Sequence, residues 1–220
     1  MQTKTIRRLG SRAKLWLRGY SMLLPYVGID GWLCVDEAIE LFELARALPD
    51  DGAVVVEIGS WQGKSSFCLG QGLRGKRAAR LCCIDPFDAS GDAESADLYA
   101  AGADAVGGDL RQRFEHNMRE AGLLDHLEVH QGLSHEVAKQ WHEPIDLLFL
   151  DGDHGYEAVR RDYLDWARHV RAGGFLAMHD VDHGFHDGPR RVVDELVRND
   201  PEWVDGRLVE TMFVARRRQH

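Results

Sequence analysis

Acidic residues stand at the ends of several short apolar segments of the chain. They are Glu57, Asp85, Asp151 and, directly after His179, Asp180. Like charges crowded at one edge of a fold are unfavourable unless a cation or a polar ligand compensates them. The set therefore predicts a site for a positively charged molecule, a metal ion, or both. His154 follows Asp151 by three residues, and an imidazole, with an ordinary pKa of about 6.5, can accept a proton near neutral pH.

The segments that carry these residues are predicted to be β-strands. Short apolar runs such as 53–58 are typical of strands buried on both faces of a parallel sheet. Strands alternating with helices predict a doubly wound, mostly parallel α/β sheet, in which ligands bind beyond the carboxyl ends of the strands. The predicted strands are 53–58, 81–84, 127–130, 145–150 and 175–178, with one or two more within 208–215. The predicted helices are 11–26, 35–48, 64–73, 111–121, 134–141 and 155–170.

Two glycines four residues apart, Gly59 and Gly63, mark a turn from the first strand to the following helix. Glycine permits a positive φ and a close approach of the backbone to a ligand, and the helix N-terminus offers free N–H groups. Asp85 ends the next strand, where a carboxylate can accept both hydroxyls of a ribose. Trp61 occupies the position at which a dinucleotide site needs glycine. Trp61 and the charge of Glu57 disfavour NAD and favour a cationic adenosine cofactor, S-adenosylmethionine (SAM).

Three segments, 55–66, 84–87 and 150–156, resemble the class I SAM-dependent methyltransferases. The closest group is the small O-methyltransferases that act on sugars and antibiotic sugar moieties, and the resemblance covers roughly residues 30–215. It implies a Rossmann-like sheet of seven strands with the last strand antiparallel, and it is compatible with a homodimer. The predicted cofactor-binding residues are Glu57, Gly59, Ser60, Gly63, Ser65, Asp85, Gly132, Ser134 and Asp151.

The resemblance also implies a divalent metal and a general base. In the resembled group the metal is held by an aspartate that matches Asp151 and by an acidic pair after the fifth strand. Here that pair is His179-Asp180, so an imidazole replaces one acid. We predict Asp151, His179 and Asp180 as ligands of a divalent ion, with Mg²⁺ favoured by the carboxylates; histidine suits Mn, Fe or Zn better, and a site without metal is the remaining alternative. His154 matches the group's general base.

These expectations together describe an enzyme that methylates a hydroxyl group of a small molecule, with a saccharide favoured. Such an enzyme aligns oxygen, methyl carbon and sulfur while a base removes the hydroxyl proton and a metal fixes the hydroxyl. A catechol or phenol is the alternative acceptor. From other classes, an NAD-dependent oxidoreductase and a SAM-binding protein without catalysis remain as alternatives.

The composition is that of a globular protein with an uneven charge distribution. Of 220 residues, 44% are hydrophobic and 29% charged. The net charge of −9 includes +6 from the first 20 residues, so the other 200 carry −15, which disfavours nucleic acid as a partner. We predict a basic helical segment over 1–30 and a methyltransferase domain over 31–220. Within the latter, 86–110, rich in Ala, Gly and Asp, is a predicted lid-like loop.

The location expected from the sequence is the cytoplasm. No run approaches the ~18 apolar residues of a membrane span, and the N-terminus lacks the pattern of a secretory signal. We therefore expect no stable membrane insertion. The four cysteines, Cys34, Cys68, Cys82 and Cys83, form no CxxC pair and are expected to be buried, reduced thiols.

Overall fold

The computed structural model describes residues 2–91, 96–105, 107–185 and 187–219. Its strands are β1 (Val54–Ile58), β2 (Arg80–Asp85), β3 (Leu127–Gln131), β4 (Ile145–Leu150), β5 (Val170–Met178), β6 (Trp203–Val209) and β7 (Met212–Arg217). They form one sheet in the order β3-β2-β1-β4-β5-β7-β6. β7 is antiparallel to both of its neighbours, and the other pairs are parallel. The predicted mostly parallel sheet of seven strands, with the last one antiparallel, is confirmed.

Helices flank both faces of this sheet. The α-helices are α1 (Gln2–Leu17), α2 (Val35–Arg46), α3 (Lys64–Leu73), α4 (Ala96–Asp104), α5 (Leu110–Glu120), α6 (Ser134–Ala138), α7 (Tyr156–Trp166) and α8 (Gly188–Val192). Short 3₁₀ helices lie at Ser21–Gly28, Leu124–His126 and Ala167–His169, and a π-helical turn, Val193–Val197, follows α8.

The N-terminal helix predicted for 11–26 is two helices in the structure. α1 ends at Leu17, and Gly19 follows with a φ of +83°. The N–H of Gly19 donates to Trp16 O and that of Tyr20 to Leu15 O, which is the Schellman arrangement that ends many helices. The 3₁₀ helix Ser21–Gly28 then begins a new direction. The glycine, which the apolar pattern overlooked, therefore sets the boundary.

Two apolar clusters form the core, one on each face of the sheet. Because successive strand residues point to opposite faces, Val55 packs with α2, α3 and α5, whereas Val54 and Val56 pack with α7 and α8. All five residues of β1 and all six of β4 are buried. The two central strands are therefore rigid, and they fix the positions of the loops that follow them.

The predicted lid-like segment 86–110 contains α4, while residues 92–95 and 106 lie outside the described residues. α4 packs closely on the turn after β1, since a Cβ at Gly102 would lie 2.7 Å from Cζ2 of Trp61. The described part of the segment therefore covers this turn. Its movement as a lid, like the division at residue 30, stays a prediction.

The cysteines are free thiols. Cys68, Cys82 and Cys83 are buried as predicted. Cys34, which was expected to be buried, is exposed because it stands just before the first turn of α2.

Candidate active site

A cavity of about 580 Å³ opens at the carboxyl ends of β1, β2, β4 and β5. Its volume falls within the ~300–1,000 Å³ typical of small-molecule sites. Most of the predicted site residues line it, because the loops after these parallel strands meet at one edge of the sheet. The lining residues that were predicted are Gly59, Ser60, Ser65, Asp85, Gly132, Ser134, Asp151, His154, His179 and Asp180.

The turn after β1 is held against the loop after β4. Gly59 has a φ of +85°, and a Cβ at this position would lie 2.0 Å from the carbonyl oxygen of Asp151, so only glycine fits. Asp85 Oδ2 accepts the backbone N–H groups of Ser60 and Trp61, each at 2.8 Å, and Oδ1 accepts that of Phe87 at 2.6 Å. Burial raises the pKa of Asp85, and the three backbone hydrogen bonds oppose this. Asp85 therefore shapes the turn and also faces the cavity.

Two predicted cofactor residues, Glu57 and Gly63, lie beneath the turn and do not line the cavity. Glu57 is fully buried and accepts hydrogen bonds from the hydroxyls of Ser60, at 2.8 Å, and Ser66. Burial raises the pKa of Glu57. Gly63 has a φ of +87° and begins α3, where a Cβ would lie 2.6 Å from Cε of Met118. Glu57 thus acts on the cavity wall through the serine hydroxyls above it.

Asp151, His154 and Asp180 form a compact group at the other end of the wall. One ligand atom from each lies within 4.8 Å of the others, and His154 Nε2 is 3.1 Å from Asp180 Oδ2. His179 Nδ1 lies 3.1 Å from Asp151 Oδ1 and 3.3 Å from Asp180 Oδ1. The structure therefore puts His154, predicted as a base, among the potential metal ligands. His179, predicted as a ligand, instead pairs with these two carboxylates. It could bind a metal ion only if its ion pairs with Asp151 and Asp180 were broken.

Glu37, which the sequence analysis did not single out, holds the other nitrogen of His179. Oε2 of Glu37 lies 3.3 Å from His179 Nε2. Oε1 of Glu37 accepts two hydrogen bonds from Thr211, one from its backbone N–H at 3.0 Å and one from its hydroxyl at 2.7 Å. Glu37 also accepts the backbone N–H of Cys34 at 2.9 Å, as a glutamate at the third position of a helix commonly does. The spacing of Cys34 and Glu37, three residues apart at the start of a helix, is the sequence signal that could have identified Glu37.

Burial and ion pairing compete at this network. Burial lowers the pKa of His179, but Asp151, Asp180 and Glu37 outweigh it and raise that pKa well above its ordinary value. Burial raises the pKa of Glu37, but His179 lowers it to about 2. Burial likewise raises the pKa of Asp151, while in Asp180 the hydrogen bonds of His154 and His179 overcome burial and hold the pKa well below its usual range. Three carboxylates face one imidazolium, so the site keeps an excess of negative charge.

Three aromatic side chains line the cavity beside the turn. Their ring centroids lie 5.9 Å apart for Trp32 and Trp61, 5.6 Å for Trp32 and Tyr99, and 5.5 Å for Trp61 and Tyr99. Trp32 is 53% exposed. The indole N–H of Trp61 is buried, and it has no hydrogen-bond partner among the described residues. This aromatic group, from three separate elements, escaped the sequence analysis because only the fold brings its members together.

A second residue missed by the sequence analysis, Asp162 of α7, lines the cavity beside Ser134. It is 8% exposed, and its Oδ1 accepts a hydrogen bond from the Ser134 hydroxyl. Burial raises the pKa of Asp162 to about 6, and the hydrogen bond from Ser134 opposes this. Its position in a helical pattern gave no hint of a buried carboxylate.

Comparison with known proteins places the chain in a family. Residues 56–181, more than half of the chain, match the sequence model of a family described as a methyltransferase domain. The chain belongs to this methyltransferase family. The matched range holds the glycine turn, Asp85 and the Asp151–His154–Asp180 group, so the predicted identity as a methyltransferase is confirmed.

Relatives of this methyltransferase are distant in sequence. Uncharacterized protein R132 of Acanthamoeba polyphaga mimivirus is 27% identical over 142 residues, which make up 64% of this chain and 57% of that protein. The chain therefore matches only a little over half of the length of this curated relative.

Solved structures share the fold of the methyltransferase. The O-methyltransferase NovP has a TM-score of 0.66 at 17% identity, over 84% of this chain and 81% of NovP. TomG of Streptomyces achromogenes, an O-methyltransferase involved in tomaymycin synthesis and solved in complex with SAM, has a TM-score of 0.61 at 17% identity, over 86% and 82%. Cofactor-bound Rv0187 from MTB has a TM-score of 0.64 at 18% identity, over 91% and 89%. The chain thus has the Rossmann-like fold of the class I SAM-dependent methyltransferases.

Replacing Asp162 by asparagine should make the stability of the methyltransferase less dependent on pH. The carboxyl group of Asp162 has a pKa of about 6 in the folded protein and about 3.8 in the unfolded chain. Because the folded protein therefore binds more protons between these pH values, the wild type loses stability as the pH rises from about 4 to about 6. Asp162→Asn keeps an acceptor for Ser134 and should be more stable than the wild type at pH 7 by about 2–3 kcal/mol, with the difference vanishing below about pH 4. Urea unfolding at both pH values measures this.

Glu157→Gln is the matched control, since Glu157 lies on the same helix and is exposed. It should not stabilise the protein at pH 7. An Asp162→Asn protein that is less stable than the wild type at pH 7 would contradict the raised pKa of the buried Asp162 carboxyl group.

Proposed function

We propose that this methyltransferase moves the methyl group of SAM to a hydroxyl oxygen of a small molecule. One observation carries the proposal: the glycine turn with Asp85 and the Asp151–His154–Asp180 group line the same cavity. Methyl transfer needs a nucleoside subsite and a proton-accepting subsite side by side. NovP and TomG, both O-methyltransferases, share the fold, and TomG was solved with SAM, which supports this donor and oxygen as the acceptor.

The cofactor would extend along the wall from the turn to α6. In this proposal Asp85 accepts the ribose hydroxyls, Ser60 and Ser65 line the methionine part, and Gly132 and Ser134 lie by the adenine. The backbone N–H groups of Ser60 and Trp61 hold the Asp85 carboxylate on the wall before any ligand arrives. Beneath them Glu57 holds the Ser60 hydroxyl in place, and the bulk of Trp61 disfavours the pyrophosphate of NAD.

The residues at the second subsite fit a divalent ion. Two carboxylate oxygens and one imidazole nitrogen within 4.8 Å of one another can contact a common ion, and the excess negative charge favours it. We propose Asp151 and Asp180 as its ligands, with Mg²⁺ preferred for the oxygen donors. When bound, the ion would lower the pKa of the acceptor hydroxyl and fix its position. His179 keeps the two carboxylates in place from behind.

His154 would remove the proton of the acceptor hydroxyl. As the new oxygen–carbon bond forms and the carbon–sulfur bond breaks, this proton goes to the imidazole, and the carboxylate of Asp180, 3.1 Å from Nε2, stabilises the resulting charge. His154 cannot ligate the ion and accept the proton with the same nitrogen. Asp153, which also lines the cavity, is the competing candidate for the base.

A saccharide is the acceptor that we favour. The rings of Trp32, Trp61 and Tyr99 offer apolar faces on which a sugar ring can stack. The same rings would stack on a catechol or phenol, which remains the second candidate. The net charge of −15 on residues 21–220 disfavours a nucleic acid.

The cytoplasm and a homodimer complete the proposal. Free thiols at all four cysteines are typical of proteins from a reducing compartment. The homodimer rests on the resemblance described above.

A methyl-transfer screen tests the reaction and the acceptor class. Purified protein with methyl-labelled SAM should label monosaccharides or glycosides and leave matched deoxy sugars unlabelled, because only a hydroxyl can accept the group. Calorimetry should show saturable binding of S-adenosylhomocysteine that NADH does not displace. Label on catechols alone would move the proposal to the phenolic acceptor. Displacement by NADH would contradict a SAM site.

Removal of the base should stop chemistry without loss of the cofactor. His154→Gln should lower turnover by about 10²–10⁴-fold, the usual contribution of a general base, with unchanged affinity for S-adenosylhomocysteine. Asp153→Asn is the comparison, since Asp153 is adjacent and lines the same cavity. Loss of turnover in Asp153→Asn with full activity in His154→Gln would transfer the role to Asp153.

A chelator should reveal the metal requirement. Excess EDTA should abolish turnover, because Asp151 and Asp180 would lose the ion that activates the hydroxyl, and added Mg²⁺ should restore it. EDTA already saturated with Mg²⁺ is the control and should have no effect. Asp151→Asn should raise the Mg²⁺ concentration needed for half-maximal activity. Turnover that resists dialysis against EDTA would rule out the metal in this mechanism.

A further inference from the structure

Helix α1 presents an exposed apolar face on the outside of the protein. The side chains of this apolar face recur at helical spacing and point to one side of the helix. They are Ile6 (69% exposed), Leu9 (62%), Trp16 (68%) and Leu17 (75%), with exposed Ala13 between them. Large apolar side chains exposed to this extent on one face cost free energy in water and indicate a contact surface.

The opposite side of α1 attaches it to the body of the protein. Leu15 is fully buried, and Lys14 and Arg18 both pair with Asp36 of α2. The Lys14 ammonium group and, to a smaller extent, the Arg18 guanidinium group lower the pKa of Asp36 against the effect of burial. The helix is therefore fixed with its apolar face outward.

Basic residues border this apolar face, and acidic residues are absent from the helix sequence. By helical spacing, Arg7 lies along one border and Arg12 along the other, while Lys14 and Arg18, on the side of Arg7, pair with Asp36. The first 20 residues carry six basic groups and no acid, whereas the other 200 carry a net −15. An apolar face with tryptophan and leucine between basic borders is typical of helices that lie in a membrane interface.

We propose that α1 binds the surface of an anionic lipid membrane, with its apolar face among the acyl chains and its arginines against the headgroups. Charge complementarity selects this occupant. Two copies of α1 packed face to face would bring their basic borders together, which is unfavourable. A nucleic acid would pair with the arginines but would leave Ile6, Leu9, Trp16 and Leu17 in water.

The contact would be peripheral. Among the described helices, none has the length and apolar character needed to cross a bilayer. The 3₁₀ helix Ser21–Gly28 connects α1 to Gly31, Trp32 and Leu33, which line the cavity. A membrane contact at α1 would therefore be linked by a short stretch of chain to the candidate active site, but the proposal holds whatever the acceptor is.

Vesicle co-sedimentation of the full chain tests the proposal. The protein should sediment with vesicles of phosphatidylcholine and phosphatidylglycerol and remain in solution with phosphatidylcholine alone. Arg7→Ser/Arg12→Ser should weaken binding by about 30-fold, from roughly 1 kcal/mol for each basic residue at an anionic surface. Leu9→Ser/Trp16→Ser should weaken it on the order of 10- to 100-fold through lost apolar burial. Because all these side chains are exposed, both variants should unfold at the wild-type urea concentration.

Leu164→Ser/Leu208→Ser is the matched control, since Leu164 and Leu208 are each 44% exposed but lie outside α1. It should bind vesicles like the wild type. Equal binding to neutral and anionic vesicles, no binding to either, or wild-type binding by both α1 variants would overturn the proposal. A dimer detected by light scattering and lost in Leu9→Ser/Trp16→Ser, without vesicle binding, would assign the face to a second copy. Binding of duplex RNA without vesicle binding would assign it to nucleic acid.

Discussion

Three carboxylates from different parts of the chain meet at the imidazole of His179. Glu37 comes from α2, Asp151 follows β4 and Asp180 follows β5, and each lies 3.1–3.3 Å from a ring nitrogen. An ion pair this deeply buried is held by all its partners at once, because removing one leaves an uncompensated charge away from water. The network therefore fixes the relative positions of α2, β4 and β5, and through them the two aspartates that face the cavity.

The same network changes the interpretation of the acidic edge. Crowded carboxylates were expected to need a bound cation, and the protein itself supplies part of that compensation through the imidazolium of His179. Part of the negative charge is left over, since three carboxylates surround one imidazolium. An ion that bound at Asp151 and Asp180 would meet side chains already held in place, which lowers the entropic cost of binding it.

The glycine turn is the second constraint, and it acts through close contact of backbones. Because the Asp151 carbonyl would lie 2.0 Å from a Cβ at Gly59, the turn after β1 and the loop after β4 are in direct contact. Asp85 links the turn to β2 through two backbone N–H groups. Cofactor and acceptor subsites are therefore parts of one rigid edge, while α1 presents a separate surface of opposite charge on the outside.

The sequence by itself determined most of the strands and helices and the strand-end residues that line the cavity, because apolar runs, glycine spacing and the strand-end acids are local signals. The seven-stranded sheet and the methyltransferase family followed from the resemblance of three short segments. Only the tertiary structure decided the partners of these residues. Glu37 meets His179 across 142 positions, and Trp32, Trp61 and Tyr99 converge from separate elements, contacts that no local pattern encodes. Burial, which depends on everything packed around a group, likewise decided that Glu57 lies beneath the turn and that the pKa of Asp162 is raised.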